Sequence, residues 1–212
     1  MARSERIAAA ARIGSQRADA LVTTPAEAAS LDALRVATGE PGGTMERHCV
    51  RQFLIAERMA GEGAIGVDRE VLLCAAFIHD AGLFPPVSTG GVYTHDGRLL
   101  AERTLAPFGW EPQRLALCLD AIEQHHALRS RWDWGAEVEL TRRSDLVEVM
   151  AGRMRFGLSR SWLRRLFEEI PRVDFYRMIG REFRRGLRER PLTIPGMFRP
   201  PGTPTIAAGD SQ

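Results

Sequence analysis

The sequence predicts an all-α fold, a single-domain helical bundle. Apolar residues recur at helical spacing through most of the chain, whereas no useful length alternates apolar and polar residues with a period of two. Hairpin signals between β-branched runs are also missing. At 212 residues the chain has the size of one domain with a complete core. We therefore expect helices only, without an internal repeat or a second core.

The first segment, 1–43, is predicted to be an N-terminal helical extension. It contains one or two loosely defined helices, and Thr24 followed by Pro25 marks a helix start, because proline is tolerated in the first turn. The run Pro41-Gly42-Gly43 then breaks the helical pattern. The main domain is predicted to begin after this break and to span 44–190.

Two helices with clear start signals open the predicted domain. Thr44 is the expected N-cap of a helix that runs to about Ala60. Asp68 caps the next helix, 69–80, and the apolar residues of that segment predict a buried element. Gly82, followed by two prolines, ends it.

The rest of the domain is also predicted to be helical. A loop rich in Gly, Ser and Thr, Val87–Thr94, lies beside the end of the buried helix and could cover a site. The helices after it are expected at 96–106, 112–128, 139–152, 160–169 and 174–188. Proline and glycine fill the chain from Pro191, so 191–212 is predicted to be a tail, or an arm that reaches a neighbouring subunit.

The composition excludes several classes of function. A formal net charge of +2 is too small to favour a nucleic-acid partner, although all 29 basic residues are arginines. No window approaches the roughly 18 apolar residues of a membrane-spanning helix. Cys49, Cys74 and Cys118 lack paired spacing, so we expect buried thiols in a reducing compartment. These features predict a cytoplasmic protein without a nucleic-acid or membrane partner. They do not decide whether the protein forms a homo-oligomer.

The most informative feature is the adjacent pair His79 and Asp80 at the end of an apolar run, Leu72–Ile78. An imidazole and a carboxylate are costly to bury unless something pairs with them. Adjacent residues on a helix point about 100° apart, so the pair can converge only near a helix end. A divalent cation is the commonest partner for both groups together. All five histidines lie between His48 and His126, which indicates a single site.

Further candidate ligands lie on other predicted helices. A lone histidine such as His48 is more often structural, but the histidine–aspartate pair downstream favours a ligand. His125 faces the core, and His126 points about 100° away from it, so both share a site only at its rim. Asp145, in a half-buried helix, either pairs with an arginine or binds a metal.

This order of histidines and aspartates resembles the HD superfamily of helical metal-dependent hydrolases, which is named for its adjacent His and Asp. The resemblance covers roughly 44–190 and implies a helical bundle of the HD-domain type. It also implies that one divalent cation is held by His48, His79, Asp80 and Asp145. Mixed imidazole and carboxylate ligands suit zinc or iron first, with manganese or nickel as alternatives.

A narrower resemblance is to the cyanamide hydratase-like branch of that superfamily. The segment His48–Phe53 matches its pattern His-x-x-Arg-x-aromatic, and Ala121–His125 matches its pattern Ala-Ile-x-x-His. Thr94 is a departure, because those relatives usually carry a glutamate there. The branch implies a substrate with a small polar, nitrile-like or amide-like carbon.

The resemblance implies a hydrolase or hydratase mechanism. Water on a divalent cation becomes far more acidic, and the resulting metal-bound hydroxide is expected to attack the substrate carbon. Asp80 would shuttle the proton, and His125 would orient the substrate or act as general acid. Arg51 is a candidate for substrate contact, although a salt bridge that holds a ligand carboxylate is the favoured interpretation.

Three other functions remain open at the level of sequence. A phosphohydrolase acting on a nucleotide or phosphate ester would need cations near the metal, and four arginines flank the second half of the site: Arg129, Arg131, Arg142 and Arg143. A di-iron oxygenase, or another dinuclear member, would need extra ligands. The candidates for a second metal or for substrate contact are His95, His125 and His126. A binding protein with a vestigial metal site is the third alternative.

Overall fold

The structure, a computed structural model, describes residues 3–189, and all regular structure within them is helical. Within this part of the chain, nine α-helices are connected by loops and three short 3₁₀ turns. In chain order the α-helices are α1 Arg3–Leu21, α2 Pro25–Thr38, α3 Thr44–Glu62, α4 Arg69–Ile78, α5 Tyr93–Leu105, α6 Pro112–Gln124, α7 Ala136–Val149, α8 Arg160–Glu169 and α9 Phe175–Glu189. The predicted all-α, single-domain bundle is therefore confirmed. The predicted tail, 191–212, lies outside the described residues.

The N-terminal helices share the core of the bundle. Helix α2 begins with a capping box in which Thr24 Oγ1 accepts a hydrogen bond from the Glu27 amide, and Glu27 Oε2 accepts one from the Thr24 amide. Leu31 and Leu34 of α2 are buried in the same apolar cluster as residues of α3 and α4. The predicted boundary at residue 43 stays a prediction, and no gap in packing coincides with it among these helices.

Helices α3 and α7 cross the centre of the bundle and pack extensively against each other. The predicted N-cap of α3 is off by one residue. Gly43 is the N-cap, without a side-chain hydrogen bond, and Thr44 is the first helical residue. The Thr44 hydroxyl instead accepts a hydrogen bond from Arg47 at 3.3 Å. The helix also continues to Glu62 rather than ending near Ala60.

The buried helix α4 starts where the sequence predicts, with Asp68 accepting a hydrogen bond from the Val71 amide at 3.1 Å. It ends at Ile78, two residues before the predicted end. A 3₁₀ turn at Ala81–Leu83 follows, and Phe84 is extended, the backbone conformation that a following proline favours. His79 and Asp80 therefore lie where the chain leaves the helix.

Gly82 permits the close approach of α5 to this turn. A Cβ atom on Gly82 would lie 2.0 Å from the carbonyl oxygen of Tyr93, the first residue of α5. That distance is far inside van der Waals contact, so any other residue would push the two elements apart. Helix α5 therefore begins beside the His79–Asp80 turn, a few residues before the predicted start at 96.

Helix α6 ends at Gln124, earlier than the predicted end at 128, and α7 begins at Ala136 rather than at 139. A 3₁₀ turn at Trp132–Trp134 and then Gly135, at φ 134° and ψ 154°, lead into α7. That backbone conformation is strained for any residue with a Cβ atom. His125 and His126 consequently lie in a turn after α6. Within residues 3–189 no helix has both the length and the apolar content needed to cross a membrane.

Candidate metal centre

Four helices bring imidazole and carboxylate groups to one buried point. His48 lies in the first half of α3, and Asp145 lies on α7, which packs against it. His79 and Asp80 follow the last residue of α4, and His125 follows the last residue of α6. All five residues are buried. The sequence assigned them to separate helices of one bundle, and the structure brings their polar atoms together.

The distances between these atoms are those of a ligand cluster. His48 Nε2 lies 3.1 Å from His79 Nε2 and 3.4 Å from Asp145 Oδ1. Asp80 Oδ2 lies 3.4 Å from His79 Nε2, and Asp80 Oδ1 lies 3.4 Å from His125 Nε2. Two compact groups could hold a metal ion, and they share His79. The groups are His48, His79 and Asp145, and His79, Asp80 and His125.

Each of the three imidazoles is oriented by its other nitrogen. His79 Nδ1 donates to the Ala76 carbonyl at 2.8 Å, and His125 Nδ1 donates to the Ile122 carbonyl at 2.6 Å. His48 Nδ1 lies 2.8 Å from Glu148 Oε2. Because a carbonyl oxygen only accepts, the Nδ1 atoms of His79 and His125 carry the proton, and Nε2 is left with its lone pair. Hydrogen bonding of this kind is what fixes the orientation of metal-ligating histidines.

These contacts fit a divalent cation. Two neutral imidazoles with Nε2 lone pairs 3.1 Å apart repel each other unless a proton or a cation lies between them. Asp80 Oδ1 is buried and has no well-formed hydrogen bond, although unpaired buried carboxylate oxygens are rare in proteins. The donor set of imidazole nitrogen and carboxylate oxygen suits zinc, iron, manganese or nickel.

The electrostatics of the cluster favour bound positive charge. Burial alone would raise the pKa of Asp80, but His79 and His125 outweigh it and hold that pKa well below its usual range. Burial likewise opposes ionisation of Asp145, and His48 and His126 lower its pKa. For His48, burial opposes the charged form, yet Glu148 and Asp145 raise its pKa to about 10. A cation bound at this point would take the place of that proton.

The geometry of Arg51 favours the salt bridge over the predicted substrate contact. Its side chain is fully buried, and Nε donates to Glu148 Oε1 at 2.7 Å. Nη1 donates to the carbonyls of Ile170 and Pro171, each at 3.3 Å. The guanidinium therefore faces a carboxylate and backbone carbonyls inside the protein. The favoured salt bridge exists, but it holds Glu148 rather than a predicted ligand carboxylate.

The remaining histidines differ in their placement. His126 Nδ1 lies 3.7 Å from Asp145 Oδ2, and the side chain is 24% exposed, so it stands at the rim of the cluster as predicted. His95 does not join the cluster. Its side chain is 53% exposed, and Nδ1 lies 3.2 Å from Glu123 Oε1 on α6. His95 lies on the outer face of α5, whereas its neighbours Thr94 and Asp96 are buried.

The structure adds residues that the sequence interpretation missed. Tyr93 Oη lies 3.4 Å from His125 Nε2, and the Phe175 ring stacks on His48 at 5.0 Å between centroids. Glu148 lies one helical turn after Asp145, so helical spacing could have placed it on the same face. Tyr93 and Phe175 gave no such signal, because tertiary packing alone brings them to the cluster.

Three of the four arginines expected to serve a phosphate are already paired. Arg142 donates through Nε and Nη2 to Glu139 at 2.8 and 2.7 Å, and Arg143 Nε donates to the same carboxylate at 2.6 Å. The Arg131 amide also donates to Glu139, and its side chain to Gln124. Burial opposes ionisation of Glu139, but these partners lower its pKa to about 2. Arg129 is exposed.

Comparison with known proteins places this cluster in a family. The family model for the HD domain matches residues 45–151, which includes His48, His79, Asp80, His125 and Asp145. No curated protein and no solved structure matches the chain. The matched region covers half of the chain and contains the helices that carry the cluster. The chain therefore belongs to the HD-domain family, whose members are typically metal-dependent hydrolases.

Proposed function

We propose that the protein is a metal-dependent hydrolase or hydratase that acts on a small polar, nitrile-like or amide-like substrate. One observation carries the proposal. The Nε2 atoms of His48, His79 and His125 converge with the carboxylates of Asp80 and Asp145, and each imidazole is held from its far side. The substrate class rests on the resemblance of His48–Phe53 and Ala121–His125 to the cyanamide hydratase-like branch.

In this proposal His48, His79, Asp80 and Asp145 hold one divalent cation. When bound, such a cation polarises the substrate and lowers the pKa of a bound water toward about 7. The surrounding residues exclude bulk solvent, because His48 and His79 are completely buried and Asp80 is only 5% exposed. Exclusion of water strengthens every charge interaction within the site.

Asp80 and His125 are the proposed proton carriers. Asp80 stays ionised near neutral pH because its pKa is depressed, so it can accept a proton from the attacking water. Its Oδ1 lies 3.4 Å from His125 Nε2, slightly longer than a hydrogen bond, so a small approach of the two groups would let that proton pass to His125. His125 can then protonate the nitrogen of the substrate. Burial, followed by the charge of Asp80, raises the pKa of Tyr93, so its hydroxyl stays protonated and can donate to the substrate.

A phosphate ester ranks lower as a substrate. Three of the four arginines expected to bind phosphate are engaged by Glu139 and Gln124, so a phosphate would have to displace internal partners. Breaking a buried ion pair leaves an uncompensated charge, which is strongly unfavourable. Exposed Arg129 alone would have to supply the cationic group.

A dinuclear centre is the second candidate, because each aspartate faces histidines with both of its oxygens. Asp80 Oδ2 lies near His48 and His79, and its Oδ1 lies near His125. Asp145 Oδ1 lies near the same two histidines, and its Oδ2 lies near His126. Carboxylates in this arrangement could bridge two ions. His95, a predicted ligand for such a second ion, is exposed and does not face these carboxylates.

The test is elemental analysis of the purified protein combined with a screen of small nitriles, amides and phosphate esters. We expect about one equivalent of zinc or iron, and turnover of a nitrile or amide. Two equivalents of iron would support a dinuclear oxygenase, and release of phosphate would remove the hydratase proposal. The proposed setting is the cytoplasm, because all three cysteines are buried free thiols.

A further inference from the structure

The ligand candidate His48 differs from the other imidazoles in how it is oriented. His79 and His125 each use a backbone carbonyl of the preceding turn, whereas His48 uses the carboxylate of Glu148, at 2.8 Å. A charge-assisted hydrogen bond is shorter and stronger than a neutral one. It also makes the opposite nitrogen of the ring more basic and therefore a better metal ligand.

The Glu148 carboxylate is itself fixed from the other side. Arg51 Nε donates to Glu148 Oε1 at 2.7 Å, and Arg172 Nε donates to the same oxygen at 3.1 Å. Arg172 Nη2 also donates to the Glu148 backbone carbonyl at 2.6 Å, close to the end of α7. Glu148 is completely buried, so two cations offset the cost of removing its charge from water.

Arg51 belongs to α3, but Arg172 lies beyond the part of the chain that matches the HD-domain model. That match ends at residue 151, whereas Arg172 lies between α8 and α9, and Phe175 is the first residue of α9. Phe175 stacks on His48 with an interplanar angle of 20°. Arg47 holds the segment after α8 by donating to the carbonyls of Pro171 and Val173. The segment after α8 therefore contacts both α3 and α7, through several independent interactions.

We propose that Glu148 is a positioning residue for metal binding, and that Arg172 holds it in place for that role. Glu148 sets the orientation of His48 and directs Nε2 toward the cation. Hydrogen bonds thus connect Arg172 to Glu148 and Glu148 to His48, and we call this chain the relay. Through the relay, the segment after α8 becomes a part of the metal centre. This inference rests on the proposed function, because it requires a cation at His48.

The chain offers a matched control on the same helix. Glu139 is also a fully buried glutamate of α7 held by two arginine side chains, Arg142 and Arg143, but it contacts no histidine. Changing Glu139 to glutamine therefore removes the same charge from a comparable arginine cluster. Any general loss of stability from such a change should appear in both variants, whereas a loss of metal affinity should appear only at Glu148.

The experiment is a titration of metal-free full-length protein with Co²⁺, followed by visible absorption, with far-ultraviolet circular dichroism to check folding. We expect Glu148→Gln to weaken Co²⁺ binding by about 10- to 100-fold and to alter the visible spectrum. Arg172→Met should weaken binding in the same direction, by less. Glu139→Gln should keep the wild-type affinity within about twofold and the wild-type spectrum.

Wild-type affinity and spectrum in a folded Glu148→Gln protein would overturn the inference, as would an equal loss in Glu139→Gln. Should Glu148→Gln fail to fold, Arg172→Met decides, because unchanged Co²⁺ binding in that variant contradicts the relay. A wild-type protein that binds no Co²⁺ overturns the proposed function and this inference with it. If the wild-type protein binds Co²⁺ and the variants bind it equally well, the inference fails while the proposed function stands.

Discussion

At the scale of single residues, the proposed function requires that particular side-chain atoms bind the metal. Asp145 Oδ1 lies 3.4 Å from His48 Nε2, and the carboxyl group is almost completely buried. We expect Asp145→Asn to lower metal affinity by at least about 100-fold, more than a change outside the ligand shell, because an amide oxygen is neutral. Metal content after dialysis, measured by elemental analysis, checks this.

The control for this variant is Asp133→Asn, the same chemical change at an exposed position in the turn before α7. It should keep the wild-type metal content. Circular dichroism should show that both variants stay helical. Full metal content in a folded Asp145→Asn protein would refute the assignment of Asp145 as a ligand.

A second prediction at this scale concerns pH. Burial opposes the charged form of His48, but the Glu148 and Asp145 carboxylates outweigh it and raise its pKa to about 10. Below that pH a metal must displace a proton from the imidazole, so binding releases protons and the affinity rises with pH. We expect up to about a tenfold gain in affinity per pH unit between about pH 6.5 and 9.

Calorimetric titration of the metal in buffers of different ionisation enthalpy measures the released protons. The exposed His95 lies outside the cluster, so His95→Ala should show the same pH dependence as the wild type. An affinity that is independent of pH across this range would mean that no proton competes with the metal at His48.

At the scale of elements, the ends of helices decide the geometry of the site. The apolar run before His79 predicts α4 and its burial, and the following Gly82 and prolines predict its end. The sequence could not predict that α6 ends at Gln124, because its helical pattern continues to residue 128. That early end is what turns both His125 and His126 toward the aspartates.

The contact between α5 and the turn after α4 yields a third prediction. A methyl group on Gly82 would meet the Tyr93 carbonyl at 2.0 Å, so Gly82→Ala must displace the start of α5 and Tyr93 with it. We expect a loss of about 1–3 kcal/mol in the free energy of unfolding, the usual cost of overpacking. Chemical denaturation of the metal-free protein measures this change.

Gly61→Ala is the matched control, because the added methyl group would meet no atom within 4 Å near the end of α3. Replacing a helical glycine at such a position should leave the free energy of unfolding unchanged or raise it by up to about 1 kcal/mol. Equal stability of the Gly82→Ala protein and the wild type would contradict the proposed close packing.

At the scale of the whole molecule, spacing of apolar residues was sufficient to predict the all-α bundle, and the adjacent His79 and Asp80 marked the buried cluster that could hold a metal ion. Residues that reach the site only through tertiary packing were not predictable. Phe175 approaches His48 across more than one hundred residues of sequence, and the exposure of His95 depends on which face α5 packs against its neighbours.

Metal binding should also stabilise the whole molecule. The proposed ligands come from α3, α7 and the end of α4, so a bound cation links elements that separate on unfolding. A metal present at about 100 times its dissociation constant should add about 2.7 kcal/mol to the free energy of unfolding. Thermal unfolding should therefore shift upward on adding Zn²⁺ and downward with a chelator. An identical melting temperature in both conditions would argue against a site shared by these helices.

The most direct test of the central claim is anomalous diffraction from crystals of the metal-loaded protein, recorded at the absorption edge of the metal found by elemental analysis. The account predicts an anomalous peak about 2.0–2.2 Å from His48 Nε2, His79 Nε2, and one oxygen each of Asp80 and Asp145. A peak at another place in the molecule, or no peak between these side chains in metal-saturated crystals, would contradict it.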